Sequence, residues 1–265
     1  MSRLLFILAH PDDESLGFGG TIAKYAKEGA EVYLITATRG QRGRFGTQTE
    51  RPAPEIVGSV REQELRAAAS ILGIKEVTVL EYMDGDVDKI TPSEIIPSLA
   101  AHIRRIKPQI ILTFGPDGVY GHPDHIAISQ FTSAAIVQAA DANFKTNNDP
   151  SHQVLKLYFL AWPYSTFQMH QKALKEFGMT VDGARRLVIP YPEWLITTRI
   201  DAYPHWKTVW RAISCHETQM SIYSNLKDLS DEQHRELWGA QTFYRVFSLV
   251  NGGRMMESDL FDGIN

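Results

Sequence analysis

The order of segments in this chain predicts an α/β fold, with a doubly wound, mostly parallel sheet and helices on both faces. Three observations carry the prediction. Short apolar runs, Arg3 to Ala9, Glu31 to Thr38, Glu76 to Leu80 and Gln109 to Phe114, alternate with stretches whose apolar residues recur at helical spacing. The runs are nearly continuous in apolar character, as strands covered on both faces must be. Two of them lead into clusters of His and Asp, and open α/β sheets place polar chemistry outside the carboxyl ends of their strands.

At 265 residues and 43% hydrophobic content, the chain can fill one sizeable core, and no Ser/Gly/Pro-rich linker divides it. We expect one domain over 1–265, with the metal site in 1–140 and an α/β extension over 141–265 that shapes the substrate pocket. A net charge of -4 gives no general attraction to nucleic acid or to an anionic membrane, so a small molecule is the expected partner. Homo-oligomerisation is left open. The single cysteine, Cys215, excludes an internal disulfide and reads as a small core residue. The six apolar residues before His10 are too few for a signal-peptide core, and no run approaches the roughly 20 residues of a membrane span. Those two features predict a cytoplasmic protein without stable membrane insertion.

The first strand runs into Ala9-His10-Pro11-Asp12-Asp13-Glu14. His10 and Asp13, three apart across a turn, can share one metal ion, which leaves Asp12 free. Gly17-Phe18-Gly19-Gly20 then opens a helical pattern that stops at Gly29. A dinucleotide fingerprint would need glycine at Ile22 and an acidic residue at Arg39, so these glycines are assigned to close packing of the helix on its strand. Strand two leads into a basic loop with Arg39, Arg42, Arg44 and Arg51 against Glu50. This loop is either solvated surface or a contact for an anionic group on the substrate.

Ser59 to Leu72 reads as a helix with Ser59 as cap and Glu62 as its box partner, which puts Arg61 and Glu64 in the first turns. Strand three ends in Glu81-Tyr82-Met83-Asp84-Gly85-Asp86. Pro92 to Ile106, capped by Thr91 and interrupted by Pro97, is an amphipathic helix against the sheet. Strand four delivers the second cluster, Gly121-His122-Pro123-Asp124-His125. Pro123 suits the first helical position, with His122 at the cap and His125 one turn in.

In a sheet of order 3-2-1-4, strands one and four are neighbours, so the two clusters converge where the winding reverses. Two histidines and one aspartate there make a three-ligand site with an open position, as in catalytic zinc sites. His-Pro-Asp also occurs as plain turn chemistry, but not twice on adjacent strand ends without cause. The same triad suits non-haem iron. An oxygenase would want an all-β scaffold, although iron can occupy a hydrolytic site. A glycosidase dyad is excluded because Asp12 and Asp13 are too close to straddle a glycosidic bond.

Beyond Ala140 we expect a polar loop from Asp141 to His152, a strand from Val154 to Trp162 and a helix from Thr166 to Phe177. An extended stretch from Trp194 to Asp201, helices at Tyr203 to Glu217 and Asp231 to Trp238 (capped by Ser230), and a strand from Phe243 to Val250 ahead of an acidic tail complete the chain. Aromatic residues cluster here, among them Trp162, and aromatic rings stack on sugars as well as fill cores.

His10-Pro11-Asp12-Asp13-Glu14 and His122-Pro123-Asp124-His125 resemble the two signatures of the N-acetylglucosaminyl-phosphatidylinositol de-N-acetylase-like (PIG-L/LmbE-like) family. The resemblance covers residues 1 to about 140 and is patchy beyond. It implies a Rossmann-like sheet and a zinc-dependent deacetylase that removes acetyl from an N-acetylglucosaminyl-type conjugate. An amidase for another sugar-linked or thiol-conjugate amide is the alternative. A non-catalytic sugar binder has no use for a free carboxylate beside the metal. The resemblance also implies His125 as the third ligand after His10 and Asp13, with His122 and Tyr120 beside the opening. Asp12 is then the general base for a metal-activated water. It further implies Arg61 and Asp84 as contacts for the sugar, and Gln219 of His216-Glu217-Thr218-Gln219 as reaching the metal site through water. Arg44 joins the substrate contacts from the basic loop.

Overall fold

A computed structural model describes residues 2–47, 50–145, 149–174, 178–181, 183–253 and 255–264. Its strands, in chain order, are β1 (Arg3–Leu8), β2 (Glu31–Thr38), β3 (Glu76–Tyr82), β4 (Ile110–Thr113), β5 (Lys156–Leu160), β6 (Gly178–Val181), β7 (Ala184–Leu187), β8 (Thr198–Asp201) and β9 (Ala240–Ser248). Seven form one sheet of order β3-β2-β1-β4-β5-β9-β8. The first five run parallel, and β9 is antiparallel to both its neighbours. This is the expected winding, with the second half of the chain extending the same sheet.

The helices are α1 (Asp13–Lys27), α2 (Pro54–Leu72), α3 (Pro92–Ile106), the short irregular turn α4 (Gly118–Gly121), α5 (Pro123–Ala140), α6 (Tyr164–Leu174), α7 (Trp206–Cys215) and α8 (Asp231–Trp238). Helices α3 and α5 pack together on one face, and α1 and α2 share the other with α7. Leu4 to Leu8 are fully buried between the layers. No helix among the described residues is long and apolar enough to cross a membrane.

Register places the chemistry. Phe6 of β1 pairs with Leu112 of β4, so the two strands leave the sheet at the same edge and level. His10 and the segment that follows Phe114 therefore emerge side by side.

Several local expectations are corrected. Helix α2 starts at Pro54, with proline at its first position, and Ser59 lies inside it. Glu62 bonds Arg39 at 2.7 Å and Arg66 at 2.7 Å rather than closing a box, and Arg61 sits two turns into the helix. Helix α3 continues through Pro97, and Thr91 makes no side-chain cap. The glycines of α1 admit the second half of the chain instead of their own strand: a Cβ on Gly20 would lie 2.6 Å from Ala202 Cβ, and one on Gly19 would lie 3.2 Å from Val209. The segment from Tyr203 divides into a 3-10 turn (Tyr203–His205), α7, and a second 3-10 turn (Glu217–Gln219). Helix α6 ends at Leu174, and 175–177 lie outside the described residues. The β6–β7 hairpin has no counterpart in the sequence reading, since Arg185 and Arg186 break any apolar run.

One residue of the acidic tail is anchored in the fold. Glu257 is buried and accepts hydrogen bonds from Lys156 Nζ (2.9 Å), Arg245 Nη1 (2.7 Å), Tyr158 OH (2.8 Å), Thr198 Oγ1 (2.9 Å) and Asn251 Nδ2 (2.9 Å). Burial alone would raise its pKa, but bonds from Lys156, Asn251, Tyr158 and Arg245 outweigh that and hold it at about 2. A depressed carboxylate stabilises the fold above its ordinary pKa of 4.5 and ceases to do so as pH falls through about 2. Replacing Glu257 by Gln leaves Lys156 buried without its counter-charge, so urea unfolding at pH 7 should show a loss of about 3–5 kcal/mol. The variant should also lose less stability than the wild type between pH 5 and pH 2. An unchanged unfolding midpoint would contradict this role.

Candidate metal centre

Asp13 is the first residue of α1, and its Oδ2 accepts the amides of His10 (2.7 Å) and Ala9 (3.3 Å) as the chain leaves β1. Across the crevice, His122 caps α5, and His125 lies within that helix's first turn. The two clusters meet. His10 Nδ1 is 3.2 Å from His125 Nε2, and Asp13 Oδ1 is 3.3 Å from the same nitrogen. His10 Nδ1 is 3.7 Å from Asp13 Oδ2, and one donor atom from each residue falls within a mutual 4.8 Å. A zinc ion about 2.0–2.2 Å from tetrahedral N and O ligands sets neighbouring ligands roughly 3.3–3.6 Å apart, so the cluster already has the edges of such a site.

Hydrogen positions agree with that use. His10 Nε2 faces Asp124 Oδ2 at 2.9 Å and Asp84 Oδ1 at 3.1 Å. An ionised carboxylate can only accept, so Nε2 carries the hydrogen and the Nδ1 lone pair of a neutral ring points into the cluster. Burial opposes a charge on His10, yet Asp84, Asp124 and Asp13 outweigh it and raise its pKa well above the ordinary value, a field that equally suits a cation. Asp124 is fully buried and also accepts the amides of Gly85 (2.7 Å) and Val87 (3.1 Å). A second grouping of His10, His122 and Asp124 also satisfies the spacing for a metal. It is the hydrogen-bonded surround of the first, because its link runs through the protonated nitrogen of His10. His125 Nδ1 is buried with no hydrogen-bond partner among the described residues, and its ring lies flat on Phe114, with centroids 3.9 Å apart and an interplanar angle of 2°.

Asp12 stays outside the donor set. Its Oδ2 is 3.2 Å from Arg61 Nη2 and 3.5 Å from Tyr223 OH. Burial pushes its carboxyl up to about 6, against the pull of the Arg61 guanidinium and with the push of Asp13. Its backbone lies in the left-handed region at φ 108°. Arg61, expected at the sugar, is buried and also donates to Gly40 O (2.8 Å) and Pro11 O. Gly40, at φ 64°, and Gly43 make room for the guanidinium, since a Cβ at either would lie within 2.3 Å of Arg61 Nη1 as it stands. The structure therefore places Arg61 as the counter-ion of Asp12.

The other expected residues divide. His122 stands 4.8 Å, ring to ring, from both His10 and His125. Its Nδ1 accepts the Asp124 amide at 3.1 Å, which leaves Nε2–H as a donor, while burial and then the neighbouring His10 and His125 push its pKa down to about 3. It is a neutral hydrogen-bond donor. Tyr120 lies 5.4 Å from the His125 ring, just after Val119 at φ 68° and ψ -59°, a strained conformation for a β-branched residue. Asp84 is committed to His10 and to the Arg42 amide (2.9 Å). Gln219 is buried and donates to Arg44 O (2.7 Å) and Thr218 Oγ1 (2.9 Å). The Arg44 side chain is exposed, whereas Arg39 and Arg42 are paired with Glu62 and Asp86. Asp124, Glu14, His216 and Tyr223 were not anticipated as site residues. Asp124 stood legible between two histidines, but nothing in sequence marks Tyr223.

Comparisons with known proteins extend the picture. The family model described as "PIG-L: GlcNAc-PI de-N-acetylase" matches residues 5–136. A 1D-myo-inositol 2-acetamido-2-deoxy-alpha-D-glucopyranoside deacetylase of Kineococcus radiotolerans is 31% identical over 99% of this chain and 83% of its own length. Its counterpart in Geodermatophilus obscurus is 31% identical over 99% of this chain and 98% of its own. Among solved structures, an N,N'-diacetylchitobiose deacetylase from Pyrococcus horikoshii superposes with TM-score 0.67 at 20% identity, covering 92% of this chain and 84% of that one. A 4-carboxy-2-hydroxymuconate hydratase from Pseudomonas putida superposes with TM-score 0.68 at 21% identity, covering 96% and 99%. The fold thus also occurs in a hydratase, and the chemistry must be argued from the site.

Proposed function

Because this chain belongs to the PIG-L (GlcNAc-PI de-N-acetylase) family, and with it is a metal-dependent deacetylase acting on amide bonds, we propose zinc as its metal and an N-acetylglucosaminyl-type conjugate as its substrate. The observation that carries the reading is Asp12, a partly buried carboxylate outside the donor set and next in sequence to Asp13. Two imidazole nitrogens and one carboxylate oxygen suit zinc, and the same set accepts Fe2+ or another divalent ion.

His10, Asp13 and His125 would hold a divalent ion, which would supply the Lewis acidity that acidifies water and polarises the amide carbonyl. Asp12, oriented by Arg61, accepts the proton from the attacking water. The His122 Nε2–H and the Tyr120 hydroxyl donate to the oxygen where negative charge develops. Asp12 then passes its proton to the departing amine, because a neutral His122 that donates through Nε2 has no second proton to give.

The test is acetate release from N-acetylglucosamine conjugates, beginning with the inositol-linked one named for the curated relatives. Release should stop with chelator and return with added zinc. Release that persists after complete metal removal, or none from any N-acetylated amino sugar, would overturn the reading.

A further inference from the structure

Glu14 is fully buried and has no part in the steps above, yet it touches the residue on which they depend. Three donors converge on its carboxylate: the Asp12 amide on Oε2 at 3.0 Å, the Ser15 hydroxyl on Oε1 at 2.5 Å, and His216 Nε2 on Oε1 at 2.8 Å. His216, 1% exposed, reaches it from the end of α7, 202 positions along the chain. A carboxylate can only accept, so His216 must donate through Nε2.

The bond to Asp12 matters because of which peptide it holds. The Pro11–Asp12 peptide has its carbonyl oxygen gripped by Arg61 and its amide hydrogen gripped by Glu14. Holding both ends of a planar peptide fixes its rotation, and that rotation sets the φ of Asp12. At 108° this φ is one that a non-glycine residue keeps only where its surroundings over-determine it.

We propose that Glu14, braced by His216, is a positioning residue: with Arg61 it clamps the Pro11–Asp12 peptide and so aims the Asp12 carboxylate at the reaction. The proposal rests on the reading of Asp12 as proton acceptor. It also gives the second half of the chain a share in catalysis, because without α7 the clamp loses its backing. Leucine at position 14 breaks the clamp at similar volume, since it offers no acceptor to the Asp12 amide, whereas glutamine could keep its carbonyl oxygen there and turn its NH2 to Ser15 and His216.

The test pairs a crystal structure with a kinetic cycle. In Glu14→Leu the Pro11–Asp12 peptide should rotate and Asp12 leave the left-handed region; an unmoved Asp12 overturns the proposal whether or not a substrate is known. Where acetate release is measurable, Glu14→Leu should lower kcat about 100-fold, the scale of a misplaced reacting group, with KM and metal content little changed. In an Asp12→Asn background the same change should cost less than about threefold, because the group it aims is already gone. A loss of equal size in both backgrounds, or a lower Tm with unchanged kcat, overturns the proposal. Should Glu14→Leu fail to fold, His216→Ala against His216→Gln carries the test: alanine should move Asp12 and lower kcat, while glutamine, which can donate the same bond, should restore both. Equal behaviour of the two overturns it. A wild type that releases no acetate counts against the functional reading alone, and the structures of the variants still decide the clamp.

Discussion

Asn in place of Asp12 should lower kcat by roughly 100- to 10,000-fold, the usual worth of general acid-base help, while the protein keeps its full metal content. The reasoning is local. Asp12 lies outside the donor set, so its carboxylate is not needed to hold the ion. Asn keeps the size of the side chain and its backbone amide to Glu14, but it cannot take a proton from water. Arg61 loses its counter-charge in the variant, yet it still donates to Gly40 O and Pro11 O, so the loop stays anchored. Steady-state kinetics with parallel elemental analysis check the prediction. Unchanged turnover would remove Asp12 from the mechanism, and lost metal would place it among the ligands.

Replacing His125 by Ala should instead empty the site. His125 Nε2 is the atom that joins the two clusters, at 3.2 Å from His10 Nδ1 and 3.3 Å from Asp13 Oδ1. Without it two ligands from one turn remain, too few for the four-coordinate geometry zinc prefers. Metal stoichiometry after dialysis should fall well below one per chain, and acetate release should fall by roughly 1,000-fold or more as Lewis acidity is lost. Full occupancy in His125→Ala would show that the ion is held elsewhere.

Much of this site was legible from one dimension because its parts are short-range. His10 and Asp13 share one turn, His122 and Pro123 set a helix start, and the apolar runs that carry both clusters order themselves by the winding rule of parallel sheets. What sequence could not show were partners chosen by tertiary approach. Arg61 was legible as a residue near the site, but its bonds to the loop carbonyls of Pro11 and Gly40 were not. Nor does sequence show that Asp84 lies 3.1 Å from His10 Nε2. Gln219 was expected near the metal, but His216 three residues earlier is the one that reaches the first cluster, through Glu14. The same limit explains α2: Ser59 and Glu62 satisfy a capping pattern, but Arg39 from the preceding loop takes Glu62, and Pro54 starts the helix earlier.

The central claim is that one divalent ion sits between His10, Asp13 and His125, with Asp12 left uncoordinated. Crystals of the metal-loaded protein, measured at the zinc absorption edge, test it most directly. The account predicts one anomalous peak about 2.0–2.2 Å from His10 Nδ1, His125 Nε2 and an Asp13 oxygen, with Asp12 still turned to Arg61. A peak centred on His122 and Asp124, or one that Asp12 coordinates, would contradict it.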